Sequence, residues 1–274
     1  MDPLDDPARA AEIRRTVAGK PALMRLYAEI YARFAACLAR TPARGMALEL
    51  GAGAGWGKRH VAGLVTSDVL PYPGVDLVLD ATRLPFADAS LRLICMLNVF
   101  HHIPDAAAFL AEAARCLVPG GRLLAVDQHL GPISTPILRW AHHEGFDPRA
   151  ADWAFPSGGP LSSANGALAW IVFRRDRARL ERDFPDLELV RYAPHTPLRY
   201  WLTGGLKRWC LLPGAAFGPA TAVDRWLTAL WPGLGSFVDV ELVRRPGPGG
   251  QCGDGDGDDD GAGGADAAGP AGRA

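Results

Sequence analysis

The apolar positions of the chain change period along its length. Leu23, Leu26, Tyr27, Ile30, Tyr31, Phe34 and Leu38 recur at three- and four-residue steps, the spacing of one helix face. Pro21 suits a first helical turn and Thr41-Pro42 disfavours continuation. Residues 7–18 and 21–40 therefore read as a short helix followed by a longer one. Short apolar runs come next, at 46–50 into Gly51, 64–67 into Asp68, 75–79 into Asp80, and within 91–99. Helical spacing returns over 106–117 with Asp105 as its N-cap. Pro119-Gly120-Gly121 reads as a turn into a fifth strand over 122–126. Buried runs alternating with helices and glycine-rich turns predict an α/β fold on a doubly wound, mostly parallel sheet.

Beyond residue 128 the pattern loosens. Residues 133–143 and 171–184 read as helical, 156–166 as loop, and 187–192 and 237–243 as late strands. Between the late strands, 197–235 is rich in aromatics, and seven of the eight Trp follow residue 139. Three units of one domain and a tail result: a helical cap over 1–45, a core over 46–127, a substrate-side insertion with the last strands over 128–245, and a tail over 246–274.

Composition changes this picture mainly at the tail. The chain has 274 residues, 49% hydrophobic and 22% charged, with a formal net charge of -1. Residues 246–274 hold six Asp, one Arg and 11 Gly, which leaves the preceding 245 residues at +4. A segment so poor in apolar side chains is expected to be disordered. The mildly basic body has no basic stripe and no recognition helix, so no nucleic-acid partner is expected. Five Cys without a CxxC pair suggest free thiols in a reducing, cytoplasmic setting. No apolar run reaches transmembrane length, and residues 1–15 do not resemble a signal peptide.

The chemistry centres on Ala47-Leu48-Glu49-Leu50-Gly51-Ala52-Gly53-Ala54-Gly55. Glycines at a strand-to-helix turn let the backbone approach a ligand, and in parallel sheets such turns bind nucleotide-like cofactors. A dinucleotide fingerprint needs G-x-G-x-x-G, but Trp56 stands at the third position. Glu49 would repel a pyrophosphate, yet it can accept from a cationic amino group. S-adenosylmethionine has such a group and no phosphate. Asp68 is placed to accept from ribose hydroxyls, and Asp80 from the adenine amine with the Ala81 amide beside it.

These residues resemble the class I S-adenosylmethionine-dependent methyltransferases, in the type 11 methyltransferase domain. The likeness rests on four blocks in order: residues 48–53, 80–88, 98–105 and 112–121. It implies a Rossmann-like sheet of seven strands, the last antiparallel. It implies S-adenosyl-L-methionine as cofactor, held by Glu49, Gly51, Ala52, Gly53, Asp68, Asp80, Ala81, Leu97, Asn98 and Val99. Two departures stand out. Leu91-Arg92 replaces the family's Phe-Asp, and the stretch from Gly55 to Asp68 leaves little more than two turns of helix.

The acceptor side has weaker signals. His102 is the candidate base, with a structural role as its alternative; His101, His142 and His143 are candidates to face the acceptor. No metal is expected, because His142-His143-Glu144 are adjacent and point in different directions. Residues 197–212 mix aromatics and cations as a weak membrane-surface contact would. The expected function is methyl transfer to an O, N or C atom of a small-molecule acceptor. The alternatives are a membrane-associated lipid or quinone acceptor, a non-catalytic S-adenosylmethionine-binding module, and a nicotinamide oxidoreductase.

Overall fold

A computed structural model describes residue 6 and residues 9–53, 55–142, 144–159 and 161–246. His143, and the tail expectation beyond residue 246, lie outside the described residues.

Two helices lead, α1 (Arg9–Ala18) and α2 (Pro21–Leu38). The first half of the sheet holds β1 (Met46–Leu50), β2 (Leu64–Asp68), β3 (Leu77–Val78) and β4 (Leu91–Leu97). Helix α3 (Ala106–Cys116) leads directly into β5 (Leu117–Gln128). Then come α4 (Ser134–Trp140), α5 (Leu168–Trp170), α6 (Arg177–Asp183), β6 (Leu187–His195), α7 (Arg199–Thr203), α8 (Phe217–Leu230) and β7 (Phe237–Arg244). The seven strands lie in the order β3-β2-β1-β4-β5-β7-β6. Pairings from β3 through β5 are parallel, whereas β7 runs antiparallel to both β5 and β6. The expected seven-stranded architecture is present.

Side-chain alternation sorts the sheet into two cores. Leu48, Leu50, Ile94, Met96, Leu123, Ala125, Val238 and Val240 face α3 and the α5 region. Ala47, Leu93, Cys95, Leu124 and Val126 face the buried stripe of α2, which includes Leu23, Leu26, Ile30 and Phe34. Glu49 shares the parity of Ala47 and so points toward α2. Acids of β7 also lie on this side: Arg33 of α2 pairs with Asp239 at 2.7 Å, and Arg40 reaches Glu241 at 3.1 Å. Helix α2 thus covers one sheet face through an apolar stripe and ion pairs to buried carboxylates.

Several sequence expectations are corrected. The helix expected after the glycine loop is a single 3-10 turn, Gly57–Arg59. Tyr31 of α2 stacks on His60, directly after that turn, with ring centroids 5.3 Å apart. Strand β3 pairs over two residues only, since it lies at the sheet edge. Pro119-Gly120-Gly121 falls inside β5, where the pairing with β4 jumps from Leu117 to Arg122. The helix expected over 171–184 is broken by a π-helical turn at Ile171–Arg175, which separates α5 from α6. Helix α8, for which no element was expected, is amphipathic but leaves Trp226 and Leu230 exposed. Among the described residues no helix is long and apolar enough to cross a membrane.

Candidate functional site

The carboxyl ends of β1, β2, β4 and β5 open onto a cavity of about 1000 Å³. Glu49, Gly51, Ala52, Gly53, Asp68, Asp80, Ala81, Leu97, Asn98 and Val99 all line it, and so do His101, His102 and His142.

Positive φ angles shape the glycine loop, and at Gly51 a close contact leaves no room for a side chain. Gly51 has a φ of +65°, and a Cβ there would fall 2.2 Å from Val99 Cγ2. Gly53 has a φ of +49° but nothing within 4 Å of its would-be Cβ, so its outer side faces open space. The end of β2 ties the loop down. The Ala52 amide donates to the Ser67 carbonyl at 2.8 Å, and the Gly53 amide donates to Asp68 Oδ2 at 2.9 Å. The Leu70 amide donates to the other Asp68 oxygen at 3.1 Å. Burial raises the Asp68 pKa, and these backbone donors oppose the shift. Asp80 is held more loosely in an exposed turn, its Oδ1 accepting from the amide and hydroxyl of Thr82, both at 2.8 Å.

Glu49 is 2% exposed. Its Oε2 has no hydrogen-bond partner and packs against Gly57, whose Cβ would fall 2.1 Å away. Burial pushes its pKa up to about 7; a hydrogen bond from Tyr31 opposes the rise, and the Asp68 charge adds to it. A buried carboxylate oxygen without a donor is costly, and a cationic group entering the cavity would supply one. Asn98, directly after β4, has the left-handed φ of +54° and a buried Oδ1 without a partner. Two orphan acceptors, an open glycine and two further carboxylates suit a ligand with an ammonium group and hydroxyls. The residues present therefore fit S-adenosylmethionine.

The histidines expected to face an acceptor belong to a compact polar cluster that sequence reading did not assemble. His101 and His102 form the 3-10 turn after β4. His101 is 1% exposed, and its Nδ1 lies 2.6 Å from Asp127 Oδ1 at the end of β5. Its Nε2 lies 3.2 Å from Glu144 Oε2. His102 turns Nδ1 to the Ser163 carbonyl at 3.1 Å and Nε2 to Glu144 Oε1 at 3.5 Å. His142 Nδ1 approaches Glu144 at 3.4 Å. Burial opposes charge on His101, but Asp127 and Glu144 outweigh it and lift its pKa to about 10. Burial likewise disfavours the Glu144 carboxylate, yet the two imidazoles hold it well below the usual carboxylate range. Asp127 was legible in principle, since it is an acid ending an apolar strand, the same signal that marks Glu49 and Asp68. Ser163 and Gln128 carry no such signal.

Of the segment expected to touch a membrane surface, 197–205 turns inward. Arg199 is 5% exposed and bonds Asp224 at 2.8 Å and Glu29 at 2.9 Å. Tyr200, Trp201 and Trp209 line the cavity. The exposed apolar part is limited to Leu206, Trp209 and Leu211, and Trp140 is exposed as well.

Residues 48–125 match the family model described as a methyltransferase domain. A 53-residue stretch is 45% identical to 27-O-demethylrifamycin SV methyltransferase of Amycolatopsis mediterranei, covering 19% of this chain and 20% of that protein. A 69-residue stretch is 44% identical to phthiotriol/phenolphthiotriol dimycocerosates methyltransferase 1 of Mycobacterium ulcerans, covering 25% of this chain and 24% of the relative. The matched stretches thus span a quarter or less of these relatives' length. Among solved structures, a putative methyltransferase bound to the Trm112 activator of Haloferax volcanii aligns over 87% of this chain and 95% of its own, at 17% identity and a TM-score of 0.48.

Proposed function

We propose that residues 48–125, which match the family model of a methyltransferase domain, form the core of a class I S-adenosylmethionine-dependent methyltransferase, and that the chain transfers a methyl group to a small-molecule acceptor held beside His101 and His102. The observation that carries this reading is the shared cavity: the glycine loop with Glu49, Asp68 and Asp80 and the cluster of His101, His102 and Glu144 line one and the same space.

Bound in the cavity, S-adenosylmethionine supplies a methyl group on a sulfonium, already a good leaving group. The residues of the chain do the rest. Glu49 Oε2 and the Asn98 amide oxygen take the amino-acid end, Asp68 the ribose hydroxyls, and Asp80 with Ala81 the adenine edge. Gly51 and Gly53 let the backbone approach closely. The aromatic walls Tyr31, Tyr72, Trp201 and Phe237 exclude water and orient the acceptor, which is where most of the acceleration arises for such a displacement. Where the acceptor must lose a proton, His102 is the group placed to take it. Asp127 fixes the neighbouring His101, and Ser163 fixes the His102 ring.

The volume supports a two-ligand site. About 1000 Å³ is the upper end of ordinary ligand cavities, roughly 300–1,000 Å³. The test is incubation of the full chain with methyl-labelled cofactor and a cell extract. A labelled small molecule is expected; cofactor binding without any labelled product would favour the non-catalytic binding module.

A second reading keeps the chemistry and draws the acceptor from a lipid phase. Trp140, Leu206, Trp209 and Leu211 are exposed, and Leu206 and Trp209 also line the cavity. A lipid or quinone acceptor could enter there. Co-sedimentation with liposomes, lost in Trp209→Ser and Leu211→Ser, would favour this reading; no co-sedimentation would favour a water-soluble acceptor.

A further inference from the structure

We propose that His101, His102 and Glu144 form a binding site for one divalent first-row transition metal ion of the Zn2+ type, opening onto the acceptor end of the cavity. The argument begins with which nitrogens are already committed. His101 Nδ1, 2.6 Å from Asp127 Oδ1, must carry a proton to donate there. His102 Nδ1, 3.1 Å from the Ser163 carbonyl, must do the same. In each neutral ring the Nε2 lone pair is then left facing Glu144, at 3.2 Å and 3.5 Å. Each lone pair faces a carboxylate oxygen, an arrangement that is repulsive unless positive charge lies between them. Protons can supply that charge, and so can one divalent ion in their place.

The geometry suits the ion. Metal bonds of about 2.0–2.1 Å in a tetrahedron put neighbouring ligand atoms roughly 3.3 Å apart. The two observed separations, one to each Glu144 oxygen, bracket that value. The two nitrogens and a single Glu144 oxygen lie within 4.8 Å of one another, so a small inward shift of the side chains completes the site. Two imidazoles and one carboxylate leave a fourth position free, as in catalytic zinc sites. The donor set also favours a transition ion over Mg2+, which prefers oxygen ligands.

Two surrounding features point the same way. Asp127 on His101 reproduces the carboxylate–histidine arrangement that fixes ligating imidazoles. Gln128 is 6% exposed; its Nε2 approaches His101 Nε2 at 3.4 Å and Glu144 Oε2 at 3.1 Å, and its Oε1 is buried without a partner. Turning that amide end for end would aim the orphan oxygen at the cation. The chain brings these residues together from the β4 turn, the end of β5 and the segment after α4. Adjacency at 142–144 in the sequence therefore concealed a site whose histidines lie forty residues earlier.

The role in catalysis rests on the methyl-transfer reading; the binding does not. With the ion bound, His102 is a ligand and no longer takes the acceptor's proton; an acceptor hydroxyl reaching the free position would lose that proton to solvent more readily. Its oxygen would then form the bond to the methyl carbon as the sulfur–carbon bond breaks and its electron pair returns to sulfur. This deepens the acceptor class to an oxygen nucleophile, such as a phenol or enol.

The test uses the full chain, free of any affinity tag, stripped with a chelator and titrated with Zn2+ and with Co2+, without cofactor or acceptor. One equivalent is expected to bind, with visible Co2+ absorption of a low-coordinate site. His102→Ala and Glu144→Gln should abolish that absorption. Asp127→Asn, which leaves all three ligands in place, should weaken the affinity about 10- to 100-fold. Absence of one-equivalent binding, or binding and absorption unchanged in all three variants, would overturn the proposal. Cofactor binding measured separately on the stripped protein tells failure of the metal site from failure of the methyltransferase reading.

Discussion

Asp68 Oδ2 accepts a hydrogen bond from the Gly53 amide at 2.9 Å, so the end of β2 sets the shape of the glycine loop. Asp68 thus does two things at once, fixing the loop and offering its remaining acceptor capacity to a ligand. Asp68→Ala removes both. A charge-assisted hydrogen bond contributes roughly 1.5–3 kcal/mol, so S-adenosylmethionine should bind about 10- to 100-fold more weakly. Calorimetry on the variant, with circular dichroism to verify the fold, checks this.

Gly51 and Gly53 should respond differently to alanine. At Gly51 a methyl group would overlap Val99 at 2.2 Å in a left-handed backbone conformation, so Gly51→Ala should lower Tm and cofactor affinity together. At Gly53 the space is open and only the φ of +49° resists a side chain, at about 1–2 kcal/mol. Gly53→Ala should therefore fold nearly normally yet lose affinity, because the methyl group occupies ligand space. Equal losses of Tm in both variants would contradict this assignment.

Glu49 predicts a pH dependence with a definite sign. Its pKa in the folded protein is raised to about 7, above the unfolded value near 4.3. The folded state is then favoured with Glu49 protonated. That contribution is fully present below the unfolded pKa and is lost as pH rises toward 7. An ammonium ligand favours the carboxylate, so binding should release a proton and tighten about tenfold from pH 6 to pH 8. Glu49→Gln should flatten the profile. Calorimetry in two buffers of different ionisation enthalpy measures the released proton directly.

Lys20 supports the acceptor side from a distance. It is 4% exposed, and its ammonium donates to the carbonyls of Thr203 at 2.9 Å and Gly205 at 2.8 Å, and to that of Lys207. These bonds hold the turn after α7, where Gly204 to Lys207 line the cavity. Lys20→Met should cost about 2–3 kcal/mol, a fall in Tm of about 5–10 °C. Cofactor affinity should stay within about twofold, since Lys20 touches none of the residues assigned to the cofactor. Thermal melts and calorimetry on one preparation separate the two effects.

The cofactor end was legible because it is local. Each strand end carries its acid within one or two residues of a strongly apolar run, and the glycines at 51 and 53 announce a turn in which the backbone takes positive φ. Strand β7 could be read from its own residues, whereas its antiparallel sense followed from the family resemblance alone. The histidine cluster was legible only in part: His101, His102 and His142 could be named, but not their meeting with Asp127 and Glu144, which segments far apart in the chain bring together. Glu144 meets His101 and His102 only because the chain after α4 folds back over the β4 turn, and no periodicity encodes that return. Arg199 misled for a related reason: among aromatics it read as a surface cation, whereas Asp224 and Glu29 partner it in the interior. Helix α8 escaped notice because its apolar residues are not confined to the buried side.

Titration of the full chain with S-adenosylmethionine and, separately, with a nicotinamide dinucleotide tests the central claim most directly. Saturable one-to-one binding of S-adenosylmethionine, weakened by Asp68→Ala, and no heat from the dinucleotide are the results expected. No saturable binding of S-adenosylmethionine, or saturable binding of the dinucleotide in its place, would contradict the account.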